Sequence, residues 1–121
     1  MNGNADEQEK SFIKDVEDAF QKIELSNRET SFQANFPKYL PKISQEKIIE
    51  ARIEFCRILQ GERSTKKRII QAAGLATYSC IVHTSLDTPY ALMVDFALHL
   101  ASDALVNLPK LVPSKSRDFL G

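Results

Sequence analysis

Apolar side chains recur every three or four residues along four stretches of the chain, a spacing that places them on one face of an α-helix. The pattern predicts a first helix at about residues 6–25, a second at about 45–60, a third from Ser64 or Thr65 to about Ser85, and a fourth from Pro89 to about Leu108. Alternation typical of strands is absent from the sequence. We therefore expect an all-α fold, a single-domain bundle of four principal helices.

The second predicted helix has clear start and stop signals. Ser44 offers a hydroxyl that can cap the first turn, and Gly61 is a residue type that commonly ends a helix. Arg52 projects from within the apolar arc, so its guanidinium must reach the surface, pair with a carboxylate or meet a partner. The arc consists of Ile48, Ile49, Ala51, Phe55, Ile58 and Leu59, with Cys56 at its edge.

The third predicted helix carries no charged residue from Ile69 to Leu86. Its polar residues, such as Gln71 and Thr77, favour a helix buried in a protein core over a membrane span. Small side chains let a neighbouring helix approach closely, so we expect this helix to be the central one. Its mostly small face is formed by Ile69, Ala72, Ala73, Ala76, Ser79 and Cys80.

A long loop that carries aromatic residues separates the first two helices. Pro37 and Pro41 interrupt helical structure between residues 28 and 43. We expect the large apolar side chains of this loop to fill one end of the core, and a partner-docking lip is the alternative. These side chains are Phe32, Phe36, Tyr39 and Leu40.

The fourth predicted helix has no fully polar side. Leu92, Phe96 and Val106 interrupt a row that includes Asp95, His99 and Asp103. Either the helix is enclosed in its own bundle, which requires buried partners for the acids, or a second chain covers this side. We favour the second explanation and a homodimer. The predicted partner-binding residues are Leu92, Phe96, His99, Asp103 and Val106.

Catalytic chemistry finds little support in the sequence. Asp95, His99 and Asp103 are spaced four apart and could line up to bind a metal or a water molecule, but this spacing is also typical of a solvated helix face. Cys80 and His83 supply only two further possible metal ligands, too few for a zinc site. Phosphate-loop, nucleophile-elbow and dinucleotide-binding motifs are absent from the sequence. We expect a protein that is not an enzyme and has no cofactor and no bound metal.

A basic cluster opens the third helix. Arg63, Lys66, Lys67 and Arg68 lie where positive charge opposes the helix dipole. Residues 66–73 also resemble the first helix of TetR-like regulators, although residues 81–89 lack that family's compact turn and recognition helix. The cluster indicates either binding to nucleic acid or an acidic partner, or pairing with the acidic first helix.

Composition restricts the setting in which the protein works. The 121 residues carry 16 basic and 16 acidic side chains, so no net charge steers the chain to nucleic acid or to a membrane. We expect residues 1–121 to form one domain with mobile ends at 1–5 and 114–121, Cys56 and Cys80 to be reduced core thiols, and a cytoplasmic location without a signal peptide. The predicted function is a small non-enzymatic interaction module, an adaptor, inhibitor or assembly subunit. A nucleic-acid accessory protein is the alternative.

Overall fold

The computed structural model describes residues 3–22, 38–60, 65–84 and 87–106. These ranges contain four α-helices, α1 (Gly3–Gln21), α2 (Gln45–Leu59), α3 (Lys66–Thr77) and α4 (Tyr90–Val106). A π-helical turn, Tyr78–Val82, continues α3 without a break. No strand occurs within the described ranges, so the predicted all-α fold with four principal helices is confirmed.

Helix α1 packs on the core through residues one turn apart. Phe12, Val16 and Phe20 are each at most 1% exposed. The helix begins at Gly3, about three residues earlier than predicted. The acidic residues that follow suit the positive end of the helix dipole and favour this extension. Residues 23–25 and 114–121 lie outside the described residues.

Helix α2 begins at the predicted cap. The Ser44 Oγ accepts a hydrogen bond from the Lys47 N–H at 3.2 Å, and the helix ends at Leu59. The predicted apolar face is wrong at Ile49, which is 42% exposed. Because α2 packs chiefly on α3 and the π turn, only a narrow arc is covered. The buried residues of that arc are Ile48, Ala51, Phe55 and Leu59.

Helix α3 is central, as predicted, because it packs against each of the other three helices. Thr65 caps its start, accepting a hydrogen bond from the Arg68 N–H at 3.1 Å. Gly74 marks the closest approach to α1, since a Cβ atom there would lie 3.1 Å from the Cγ1 atom of Ile13. Four residues of the predicted small-residue face are fully buried: Ile69, Ala72, Ala73 and Ala76.

The π turn explains why the last two members of that predicted face are not in the core. The His83 N–H donates to the Tyr78 carbonyl at 2.8 Å, a bond between residues five apart. This extra residue shifts the helix phase, so Ile81 is fully buried where regular α-helical spacing would bury Cys80. Ser79 is exposed and Cys80 is only partly buried. The prediction for these two residues was therefore wrong.

Helix α4 starts where the sequence indicated, with the Pro89 carbonyl accepting hydrogen bonds from the Leu92 and Met93 N–H groups. Tyr90 departs from the predicted apolar stripe because it is 49% exposed. The core-facing side of α4 packs against α3 and α1. Its fully or almost fully buried apolar residues include Met93, Phe96, Ala97, Leu100, Ala101 and Ala104.

The segment before α2, which the sequence predicted as a loop, is helical at Lys38 and Tyr39, and it contributes one aromatic residue to the core among those described. Tyr39 is fully buried, in agreement with the expectation that the loop fills an end of the bundle. Leu40 is 39% exposed, so for this residue the expectation was wrong. Phe32 and Phe36 lie outside the described residues.

Candidate functional site

The row predicted along α4 lies in two different environments. Phe96 is fully buried and His99 is 4% exposed, whereas Asp95 and Asp103 are at intermediate depth. Leu92 is partly buried against the core. The side chain of Val106, the last helical residue, lies outside the described part of the chain.

Phe96 and His99 are therefore not on the surface of the chain, and their assignment to an exposed partner-binding face was wrong. The physical reason is Tyr39, which packs against both residues from the loop before α2. Its ring meets the Phe96 ring edge-on with centroids 5.2 Å apart and lies 5.8 Å from the His99 ring. The other explanation considered for α4, enclosure within its own bundle, describes this part of the helix.

Asp95 has partners within the chain, of which Tyr39 and His99 are buried and Lys38 is exposed. The Tyr39 hydroxyl donates to the Asp95 Oδ2 atom at 2.8 Å, and Lys38 Nζ lies 3.7 Å from the same oxygen. His99 Nδ1 makes a short hydrogen bond with the Tyr39 hydroxyl and lies 3.0 Å from the Asp95 carbonyl oxygen. When the Tyr39 hydroxyl donates its proton to the Asp95 carboxylate, a proton on His99 Nδ1 can be donated to the Tyr39 hydroxyl oxygen and to the Asp95 carbonyl oxygen.

Electrostatics favour the ionised form of Asp95. Burial acts to raise the pKa of this carboxyl, but hydrogen bonds from His99 and Tyr39, with the charges of His99 and Lys38, outweigh burial and lower it to about 2. We refer to the buried Tyr39 and His99, with the partly buried Asp95 between them, as the buried polar cluster, and Lys38 contacts it from the surface. The cluster ties the loop before α2 to α4, and its polar groups are directed at one another.

Metal binding finds no support at the predicted row. Nowhere in the described ranges do three or more His, Cys, Asp or Glu side chains gather in a way that could hold a metal ion. Asp103 instead lies near α2, where its charge and that of Arg52 both act on the Cys56 thiol. Burial, opposed by Arg52, raises the pKa of that thiol.

Two of the four exposed large apolar residues in the described ranges are neighbours on α2, and the other two, Leu40 and Tyr90, lie elsewhere. Ile53 is 62% exposed and Ile49 is 42% exposed, and Cys56 on the same face is also exposed. Positions 49, 53 and 56 follow the four-then-three spacing that aligns side chains on one side of a helix. We call these three residues the α2 stripe. The prediction that Cys56 is a core thiol was wrong, because α3 lies against the opposite side of α2.

Sequence reasoning missed this surface although a signal was available. The apolar positions of α2 span a wider arc than one neighbouring helix can cover, since Ile48 and Phe55 point to the core while Ile49 and Ile53 point away. A helix whose apolar arc exceeds its contact with the core leaves part of that arc in solvent.

The basic cluster at the start of α3 is partly accounted for within the chain. Lys66 and Lys67 are exposed, and the Lys66 ammonium lies 5.6 Å from the centre of the Phe20 ring. The sequence predicted pairing of this turn with acidic side chains of helix one, and the contact at Lys66 is instead with an aromatic residue of that helix. Arg68 is at intermediate depth, and Arg63 lies outside the described residues.

An open groove lies beside the π turn. It has a volume of about 650 Å³ and is lined by Gln8, Ser11, Tyr78, Val82, His83 and Tyr90. Phe12 supports its aromatic wall, with ring centroids 6.0 Å from Tyr78 and 5.7 Å from Tyr90. The Tyr90 hydroxyl donates to Asp15 Oδ2 at 2.5 Å. Burial and this hydrogen bond raise the pKa of Tyr90 to about 12.

None of the helices described here combines the length and the apolar character needed to cross a bilayer. No family model, no curated protein and no solved structure matches this chain.

Proposed function

We propose that this protein is a small non-enzymatic interaction module that binds a protein surface through the α2 stripe. The observation that carries the proposal is the exposure of two isoleucines one turn apart on one face of α2. Single exposed apolar residues are ordinary on protein surfaces, but neighbouring ones on one helix face are typical of docking sites.

The stripe has the features of a helix that docks into an apolar groove. Anchors at positions i, i+4 and i+7 are the usual contacts of such a helix. Charged residues border the anchors, with Glu50 on one edge and Arg52 on the other. An apolar centre with a charged rim is the common arrangement of protein interfaces.

The test compares two substitutions in the full chain. Ile53→Glu places a charge in the stripe, and Tyr90→Glu does the same at an exposed residue of α4. Pull-down from the source cell, with mass spectrometry, should recover a protein with the parent and the Tyr90 variant but not with the Ile53 variant. Recovery that does not depend on Ile53, together with a monomeric parent, would contradict the proposal.

A second candidate function, binding of nucleic acid, is supported by the exposure of Lys66 and Lys67 in the first turn of α3. It ranks second because the Lys66 ammonium already has the Phe20 ring beside it. Charge reversal of both lysines should abolish a weak, salt-dependent affinity for mixed DNA or RNA. A parent that is not retained on either nucleic acid at low salt would eliminate this candidate.

A further inference from the structure

The α2 stripe is bordered on one edge by charges of opposite sign at its two ends. Glu46, Glu50 and Arg57 are spaced four and seven residues apart, so they follow one line along the helix beside Ile53. The Arg57 side chain is 67% exposed and holds Glu54 through bonds of 2.5 and 2.9 Å. Because a guanidinium has five N–H donors, Arg57 can contact a second carboxylate from outside the chain. The Glu50 carboxylate lies 3.8 Å from Lys47 Nζ, but its side chain is 52% exposed and can accept a further hydrogen bond.

We infer that the occupant of the stripe is a second copy of this chain, bound with the two α2 helices antiparallel and the twofold axis at Ile53. This inference rests on the proposed function and adds the identity of the partner. In such a pair Ile53 meets Ile53, and Ile49 of one copy lies toward Cys56 of the other.

Charge complementarity selects this arrangement. With a rise of 1.5 Å per residue, Glu50 lies about 4.5 Å before Ile53 and Arg57 about 6 Å after it. Reversing the second helix therefore brings its Arg57 to within about 1.5 Å of the level of Glu50 on the first helix, on the same side of the interface. The twofold axis makes this contact twice. In a parallel pair the Glu50–Arg57 edges lie on opposite sides of the interface and do not meet.

Two charge reversals test the inference in the full chain. Glu50→Arg leaves two cations on the edge, and Arg57→Glu leaves anions there, so each variant repels its own copy. We expect the parent to dimerise as concentration rises in sedimentation equilibrium, and each variant to associate at least about tenfold more weakly. An equimolar mixture pairs cations with anions at both contacts and should recover the parent's affinity to within a few fold.

The controls separate association from folding. Asp18→Arg reverses an exposed charge on α1 and should leave dimerisation unchanged, and circular dichroism should show every variant folded. Alkylation of Cys56, followed by peptide mass spectrometry, should slow as the parent dimerises. Failure of the mixture to dimerise would overturn the antiparallel arrangement.

The remaining outcomes identify other occupants. A parent that is monomeric at every concentration overturns this inference, and Ile53-dependent recovery of a different protein would then leave the proposed function standing. If Cys56 is protected from alkylation in a monomeric parent, residues of the same chain cover the α2 stripe, and the dimer inference is wrong. If Ile53 affects neither self-association nor recovery, both the inference and the proposed function are wrong.

Discussion

Helix α4 carries apolar side chains on almost every side and is enclosed by its own chain, whereas α2 alternates apolar and charged residues more regularly and still exposes two isoleucines. The difference comes from their neighbours. α4 packs on α3 and α1 and is closed by Tyr39, while α2 packs chiefly on α3 and the π turn. The comparison shows that the exposure of a helix face depends on what covers it more than on the helix's own periodicity.

The largest expected effect comes from placing a glutamate in each of the two helices. Phe96→Glu removes a fully buried ring and buries a charge, so we expect a loss of about 4 kcal/mol or more in the free energy of unfolding. Ile53→Glu changes a residue that is 62% exposed and should cost less than about 0.5 kcal/mol. Urea unfolding followed by circular dichroism measures both. Equal losses would show that the two faces are equally covered.

Close packing around α3 is the next point on which the comparison depends. Ala76 is fully buried, so Ala76→Leu should overpack the core and cost about 1–3 kcal/mol. Ser79→Leu adds a leucine one turn away at an exposed position and should cost less than about 0.5 kcal/mol. An Ala76 variant as stable as the parent in urea would show that the neighbours of α3 do not approach closely.

The buried polar cluster can be tested by removing one hydroxyl. Tyr39→Phe deprives Asp95 and His99 of a shared partner and should destabilise the protein by roughly 1–2 kcal/mol. Tyr90→Phe removes a hydroxyl that also donates to a carboxylate, but from an exposed ring, and we expect the free energy of unfolding to fall by less than about 0.5 kcal/mol. Thermal unfolding of the two variants side by side decides the matter. A larger effect at Tyr90 would argue against enclosure of α4 by the loop.

The smallest expected effect is a dependence on acid. The pKa of Asp95 is lowered from 3.8 to about 2, so its ionised form stabilises the fold above pH 3.8, and this contribution is lost as pH falls toward 2. The side chain is 34% exposed and partly screened by solvent, which limits the contribution to about 1 kcal/mol. Asp95→Asn lacks it, so the stability gap between parent and variant should narrow from pH 4 to pH 2. A constant gap would contradict the shift.

Local signals predicted the helices well because they act over a few residues. Ser44 caps α2, α3 is central and uncharged after Arg68, and Pro89 begins α4, all from features that lie within one or two turns. The buried polar cluster joins Tyr39 to Asp95 across 56 positions, and no periodicity connects residues so far apart. The sequence does not show that Tyr39 packs on Phe96, and for this reason Phe96 was predicted at an interface and not in the core.

The apolar surface was missed for a related reason. Periodicity assigns each apolar residue to a core face but does not say how wide a face the neighbouring helices cover. Ile49 is one position from the buried Ile48, yet it is exposed because α3 lies on the other side. The site therefore needed the tertiary arrangement, whereas the fold class did not.

The π turn also marks a place where the chain can lose one residue without disturbing the helices on either side. Its five residues, Tyr78–Val82, hold one residue more than an α-helical course over the same path, and everything after it is rotated by about 100° relative to the helix before it. Deleting one residue within 78–82 lets the backbone continue as an α-helix while restoring the original phase. A descendant that had lost a residue between 78 and 80 would align with the chain across a single gap, and Ile81 would keep its place in the core at regular α-helical spacing from Ala76.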